Sequence, residues 1–303
     1  MLVALKELLL QARAEKKTIA AFNVPNLEMI RAAIQAAEEL NVPVILQHAE
    51  GHDSLIPLEE IGPIMVDYAK RSKVPVVVHL DHGKSLKAII TAIKIGFTSV
   101  MIDASDQSFE QNVLLTKEVV KIAHSVGVSV EAELGHVFTS SLGGGEGREP
   151  DDNLIGSSDD IYTDPELAKL FVEQTNIDCL AIAFGTVHGI YLQEPQLDLE
   201  RVAKIYQKIN IPLVMHGGSG VSEADYQVAI HNGIAKINYY SYANQAGAKA
   251  IRNVLKHDAS EEQFLEDYIE RVTAELKDNY LRAINCFSSS DTVIDTKTGC
   301  HFS

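Results

Sequence analysis

Three histidines of this chain stand in short glycine-flanked segments: His82 in HLDHG, His188 in GTVHG and His216 in MHGGSG. Acids accompany them, with Asp81 beside His82, Asp103 ending VMID, and Glu131 and Glu133 in VEAEL. Imidazole nitrogen is a favoured zinc ligand, and a catalytic zinc takes three protein ligands and keeps one position open. Any one of these histidines reads equally well as a buried, hydrogen-bonded side chain. Their separation along the chain proves nothing, so they form a site only if a fold brings them to one rim. A second pattern, Gly217-Gly218-Ser219-Gly220, lacks Cβ atoms where backbone N–H groups would approach an anion. Ser241 follows at the start of a helical stretch, where a hydroxyl and a helix N-terminus add donors. A tight turn is the plainer meaning of the glycine string.

Positioning such a set requires strands that end in these residues. Eight short β-branched or apolar runs alternate with longer amphipathic stretches: Thr18–Asn23, Val42–His48, Val74–Asp81, Ser99–Asp103, Ser129–Glu133, Cys179–Ala183, Leu213–His216 and Ala235–Asn238. VPVIL and VVVHL are apolar at consecutive positions, as strands buried on both faces are. Between them lie helical patterns at Leu27–Leu40, Ser85–Ile95, Phe109–Val126 and Asp164–Gln174. In the last, Asp164-Pro165-Glu166 reads as an N-cap followed by a first-turn proline. Eight such units without a Pro/Gly/Ser-rich linker predict an α/β fold, a closed (β/α)8 TIM barrel. No GxGxxG follows the first run, which counts against a dinucleotide-binding sheet.

In such barrels the active site lies at the C-terminal strand ends, and phosphate often binds after strands seven and eight. His82, Asp103, Glu131, Glu133, His216, the glycine string and Asn238 all fall at those ends, with His188 just past the sixth run. Residues 1–285 are expected to form one barrel domain with an added C-terminal helix, and residues 286–303 a loosely held tail. The connection Leu134–Tyr162 is long and rich in Gly, Ser and Asp, which predicts a lid or binding loop.

A formal charge of −16 repels nucleic acid and anionic lipid, so neither is an expected partner. A small anionic substrate remains open, because local donors in a pocket outweigh a screened global charge. Cys179, Cys286 and Cys300 form no CxxC pair, which argues against a disulfide framework or a cysteine-rich zinc site. No apolar run approaches the roughly 18 residues of a membrane span, and MLVALKELLLQARAEKK reads as an amphipathic helix rather than a leader. A cytoplasmic protein is the expectation.

Together AFNVPNLEMIRA, HLDHG, VMIDAS, VEAELG, YTDPE, GTVHGIY, MHGGSG and KIN, in this order, resemble the class II fructose-bisphosphate/tagatose-bisphosphate aldolases over nearly the whole chain. That resemblance implies a zinc-dependent lyase that reversibly cleaves a ketose 1-phosphate or 1,6-bisphosphate to dihydroxyacetone phosphate and an aldehyde. It makes His82, His188 and His216 the zinc ligands, with Asp103 and Glu133 at an alternative metal position. Asp81 would be the acid/base at the oxygen of the aldehyde half, and Glu146 in GGGEG the base at the nucleophilic carbon. Asn238 would hydrogen-bond the enediolate and Asn23 would contact substrate. Gly189, Gly217, Gly218, Ser219 and Ser241 would cradle phosphate, with a monovalent cation, Na+ or K+, close by. The family's habit also implies a homodimer or homotetramer. These roles fit the chemistry, since cleavage leaves a carbanion beside a carbonyl that a Lewis acid stabilises.

Departures gather around specificity. Tyr240 and Tyr242 replace small or acidic residues, Ala49 stands where a serine is frequent, and Gly147 and Arg148 stand where acids are common. A site that loses polar contacts to hydroxyl groups loses discrimination, so a ketose phosphate other than fructose 1,6-bisphosphate is expected. Two other readings remain: a metal-dependent TIM-barrel hydrolase, although the first run lacks the usual HxH, and a non-catalytic sugar-phosphate-binding homologue.

Overall fold

All eight expected runs fold as parallel strands that are buried along their length. The computed structural model describes residues 1–142, 161–192, 194–257 and 264–288. Eight strands, β1 Ile19–Asn23, β2 Val44–Ala49, β3 Val76–Gly83, β4 Ser99–Ile102, β5 Ser129–Leu134, β7 Cys179–Ile182, β9 Leu213–Met215 and β10 Ile234–Tyr239, close into a barrel. Its order is β1-β10-β9-β7-β5-β4-β3-β2, which is the (β/α)8 TIM barrel. Two further strands were not foreseen. β6 Phe138–Thr139 and β8 Val187–His188 pair in parallel outside the barrel, in segments too short to show a period.

Among the described residues the helices are α1 Leu5–Glu15, α2 Leu27–Leu40, α3 Leu58–Arg71, α4 Leu86–Ile95, α5 Phe109–His124, α6 Pro165–Thr175, α7 Leu199–Lys208, α8 Glu223–His231, α9 Ser241–His257 and α10 Leu265–Ser288. Their starts follow local chemistry. Asn26, Ser85, Ser108, Asp164, Asp198 and Ser222 each accept a first-turn N–H, which satisfies an otherwise orphan donor.

Side chains alternate across each strand, and the inward rows are apolar at one end and polar at the other. Leu5, Leu9 and Ala12 of α1 plug the N-terminal end against Ile19, Ala21, Ile45, Val77, Ala181 and Val214. Two residues further along the same rows come Asn23, Gln47, His79 and His216, and then Asp81. The chemistry is thereby held over a packed floor. At the other face α10 docks on the strands and α2, with Tyr280 against Phe22 (ring centroids 4.2 Å) and Asn279 accepting from the Tyr239 hydroxyl at 3.1 Å. Tyr239 is therefore an internal contact. The helix reaches Ser288, with Cys286 and Phe287 buried.

Candidate active site

Asp81 and His82 are consecutive, and in a regular strand they would point to opposite faces. The β3–β4 register shifts between Leu80 and Gly83, and His82 takes a left-handed φ of 43°. A bulge with this conformation re-aims a side chain at some conformational cost. Gly83 permits it, since a Cβ there would lie 2.5 Å from the Met101 carbonyl oxygen.

With His82 turned inward, three imidazoles meet. His82 Nε2 lies 3.2 Å from His188 Nε2 and 2.9 Å from His216 Nδ1. All three residues are buried. Tetrahedral coordination at Zn–N of about 2.0–2.1 Å places ligand nitrogens about 3.3 Å apart, close to these separations. The opposite ring nitrogens meet carboxylates: His82 Nδ1 is 2.8 Å from Asp103 Oδ2, and His216 Nε2 is 2.9 Å from Glu131 Oε1. An ionised carboxylate only accepts, so these partners put the protons on the outer nitrogens and aim the lone pairs inward. His188 reaches the cluster from β8, which explains why the short β6–β8 pair matters.

Charge gives a second test of fit. Among the described residues, buried carboxylates at this end are Asp81, Asp103, Glu131 and Glu133, whereas the buried Lys and Arg set is Lys236 alone. A divalent cation would offset that excess. Ligand atoms of His82, His188 and His216 lie within 4.8 Å of one another, as do those of His82, Asp103 and Glu133. Either group could hold a metal ion.

Asp81 is held by three amides. Asn23 Nδ2 and Gln47 Nε2 donate to Oδ2 at 2.9 and 3.3 Å, and Asn238 Nδ2 donates to Oδ1 at 3.2 Å. Gln47 also donates to Asn23 Oδ1 at 2.6 Å, fixing the amide that fixes the acid. Below them Lys236 donates to both oxygens of Glu131, at 2.8 and 3.1 Å. Burial opposes ionisation of Glu131, but Lys236, His79 and His216 outweigh it and hold the carboxyl well below its usual range. Burial pushes Glu133 the other way, up to about 8. Burial and Lys236 keep His79 far below the usual imidazole value; its Nδ1 lies 2.9 Å from Ser99 Oγ.

Sequence reading missed Gln47 and Lys236 as contributors, and placed His79 at the end of the third strand without giving it a role. The available signal for Lys236 and His79 was a polar residue two steps before a site residue, Asn238 and Asp81 respectively.

The glycine string forms a tight passage beside this cluster. Gly217 has φ +62°, and a Cβ there would come within 2.3 Å of the Val187 carbonyl oxygen. The Gly218 N–H donates to the Asn238 carbonyl at 3.1 Å, so it is already engaged. Ser219 Oγ accepts from Tyr240 N at 3.1 Å, and Ser241 opens α9 in the next position. Gly189 follows His188 with φ +95°. Glu146, Gly147 and Arg148 lie outside the described residues, as does most of the expected lid.

Residues 3–292 match the family model for class II fructose-bisphosphate aldolase. The chain belongs to the class II fructose-bisphosphate aldolase family. It is 42% identical over 262 residues to the fructose-bisphosphate aldolase of Staphylococcus aureus, covering 85% of this chain and 87% of that protein. Similarity to YdjI of Escherichia coli K12 is 41% over 272 residues, covering 89% and 92%. The crystal structure of the YdjI aldolase superposes with a TM-score of 0.82 at 37% identity, over 95% of this chain and 97% of that one. Aldolases of this class depend on a metal, and the assembled histidines and acids could hold one. Membership sets aside the hydrolase expectation in favour of lyase chemistry.

Proposed function

We propose that this class II aldolase is zinc-dependent and reversibly cleaves a ketose 1-phosphate or 1,6-bisphosphate to dihydroxyacetone phosphate and an aldehyde. The observation that carries this reading is the convergence of three imidazole nitrogens beside an acid held by amides, at the polar end of a barrel. His82, His188 and His216 would hold the zinc, with Asp103 and Glu133 as the alternative position. Bound there, zinc supplies Lewis acidity that stabilises negative charge on the substrate oxygens.

Asp81 takes the proton from the hydroxyl of the aldehyde half in cleavage and returns it to the aldehyde oxygen in condensation. Its three amide donors keep the carboxyl in one plane, so that the transfer needs no rotation. Asn238 and Asn23 each donate to one oxygen of the Asp81 carboxyl and are the substrate-binding amides. Gly189, Gly217, Gly218, Ser219 and Ser241 supply the phosphate seat: the α9 N-terminus contributes its dipole, and carbonyls along the turn suit Na+ or K+. Glu146 is the base at the carbon of the dihydroxyacetone phosphate half.

Ala49 and the rings of Tyr240 and Tyr242 shift preference away from fructose 1,6-bisphosphate toward another ketose phosphate. The enzyme works in the cytoplasm as a homodimer or homotetramer, on a small-molecule substrate.

The test is release of dihydroxyacetone phosphate from a panel of ketose mono- and bisphosphates. Asp81→Asn should lower turnover by about 10²- to 10⁴-fold while zinc content stays unchanged. Turnover close to wild type in that variant would remove Asp81 from the role.

A further inference from the structure

Between β2 and α3 runs a 3-10 turn, Glu50–Ser54, that contains His52. His52 is 2% exposed, yet neither ring nitrogen has a hydrogen-bond partner among the described residues. A buried polar group in that state is destabilising until a partner arrives.

The segment around it is firmly tied. Glu50 accepts from Lys84 N at 2.6 Å, Ser85 N at 3.1 Å and Ser85 Oγ at 2.7 Å. Asp53 accepts from Leu58 N at 3.1 Å and faces His48 Nε2 at the same distance. Thus the neighbours of His52 anchor the turn to β2, α3 and the β3 end, while His52 itself only packs its ring. Those ring contacts are Tyr240, at 4.9 Å between centroids, and His48, at 6.0 Å.

Its place on the rim follows from register. Ala49, just before the turn, pairs with Asp81, so the turn begins at the height of the catalytic carboxyl. Tyr240 directly follows β10, and β1 lies between β10 and β2. His52 therefore spans the top of β1, the strand whose Asn23 holds Asp81 together with Gln47 of β2. The phosphate seat lies on β9 and β10. A substrate anchored there and acted on by Asp81 has its remaining carbons under the β1–β2 rim.

We propose that His52 is a substrate-binding residue that hydrogen-bonds a hydroxyl on the aldehyde half of the ketose phosphate, which rests on the aldolase reading above. An uncharged imidazole offers one donor and one acceptor, the complement of a hydroxyl group. Burial and the neighbouring His48 hold its pKa down to about 4, so the ring is neutral at pH 7. A second phosphate at this point would meet a neutral ring that offers no countercharge, which disfavours it. The recognised substrate class is a ketose phosphate whose far end is a polyol chain.

The experiment uses metal-loaded protein and calorimetric Kd values for three ligands that cannot be cleaved. These are glycerol 1-phosphate, which lacks the aldehyde half, hexitol 1-phosphates of several stereochemistries, and a hexitol 1,6-bisphosphate. Wild type should bind at least one hexitol 1-phosphate about tenfold or more tighter than glycerol 1-phosphate. His52→Phe should remove most of that advantage and leave glycerol 1-phosphate binding unchanged. His52→Gln, which keeps a donor and an acceptor, should restore it in large part. An advantage missing in wild type, one that persists in His52→Phe, or equal weakening of all three ligands would overturn the proposal. So would a His52-dependent gain from the second phosphate, since the ligand would then be an anion. Failure of the aldolase reading is seen separately, as no dihydroxyacetone phosphate released from any ketose phosphate.

Discussion

Lys236 is fully buried, and both oxygens of Glu131 lie within hydrogen-bonding reach of its ammonium group. Removing one member of such a pair leaves an uncompensated charge in low dielectric, which costs about 3–5 kcal/mol. Lys236→Met should therefore lower the unfolding free energy from denaturant titration by that order, and adding Glu131→Gln should recover part of the loss. A single-variant loss under about 1 kcal/mol would show that the pair is not buried as described. His52 gives a pH prediction. Its folded pKa is depressed from 6.5 to about 4, so the unfolded chain binds the extra proton first. The associated stability is whole above pH 6.5 and is lost as pH falls toward 4, by about 3 kcal/mol at most. Between pH 7 and pH 4.5 wild type should lose more stability than His52→Gln in denaturant unfolding, and an identical acid sensitivity of both would contradict this. Neither residue announced itself in the sequence. Lys236 and Glu131 are 105 positions apart, and only closure of the barrel makes them partners. The three histidines were legible because each sits in a glycine-flanked strand end, whereas Gln47 looked like an ordinary polar residue in an apolar run.

At the scale of elements, α1 illustrates separation of support from chemistry. Leu9 is fully buried at the N-terminal end of the barrel, with the site at the other end. Leu9→Ala should cost about 2–5 kcal/mol and leave activity per folded chain near that of wild type. A large fall in kcat without loss of stability would mean that the floor shapes the site directly. The barrel strands were readable because burial on both faces forces apolar residues at consecutive positions. The amphipathic pattern of α1 was readable too, but its task as a plug required the closed sheet. β6 and β8, two residues each, carry no pattern, and so the way His188 enters the cluster emerged only from structure.

Across the whole molecule, the inward rows run from aliphatic to ionisable along one axis, which gives the barrel a dry end and a reactive end. The formal charge of −16 does not by itself oppose an anionic substrate, because local donors in a pocket outweigh a screened global charge. Among the described residues no helix is long and apolar enough to cross a membrane. The buried acids at the reactive end have Lys236 as their buried cationic side chain among the described residues, and with the histidines they could hold a metal. The decisive measurement is zinc titration of chelator-stripped protein, followed by calorimetry and by dihydroxyacetone phosphate release in parallel. The expected result is negligible turnover in stripped protein and recovery that saturates with one tightly bound zinc per active chain. Full turnover in protein shown to be free of metal would contradict the histidine centre.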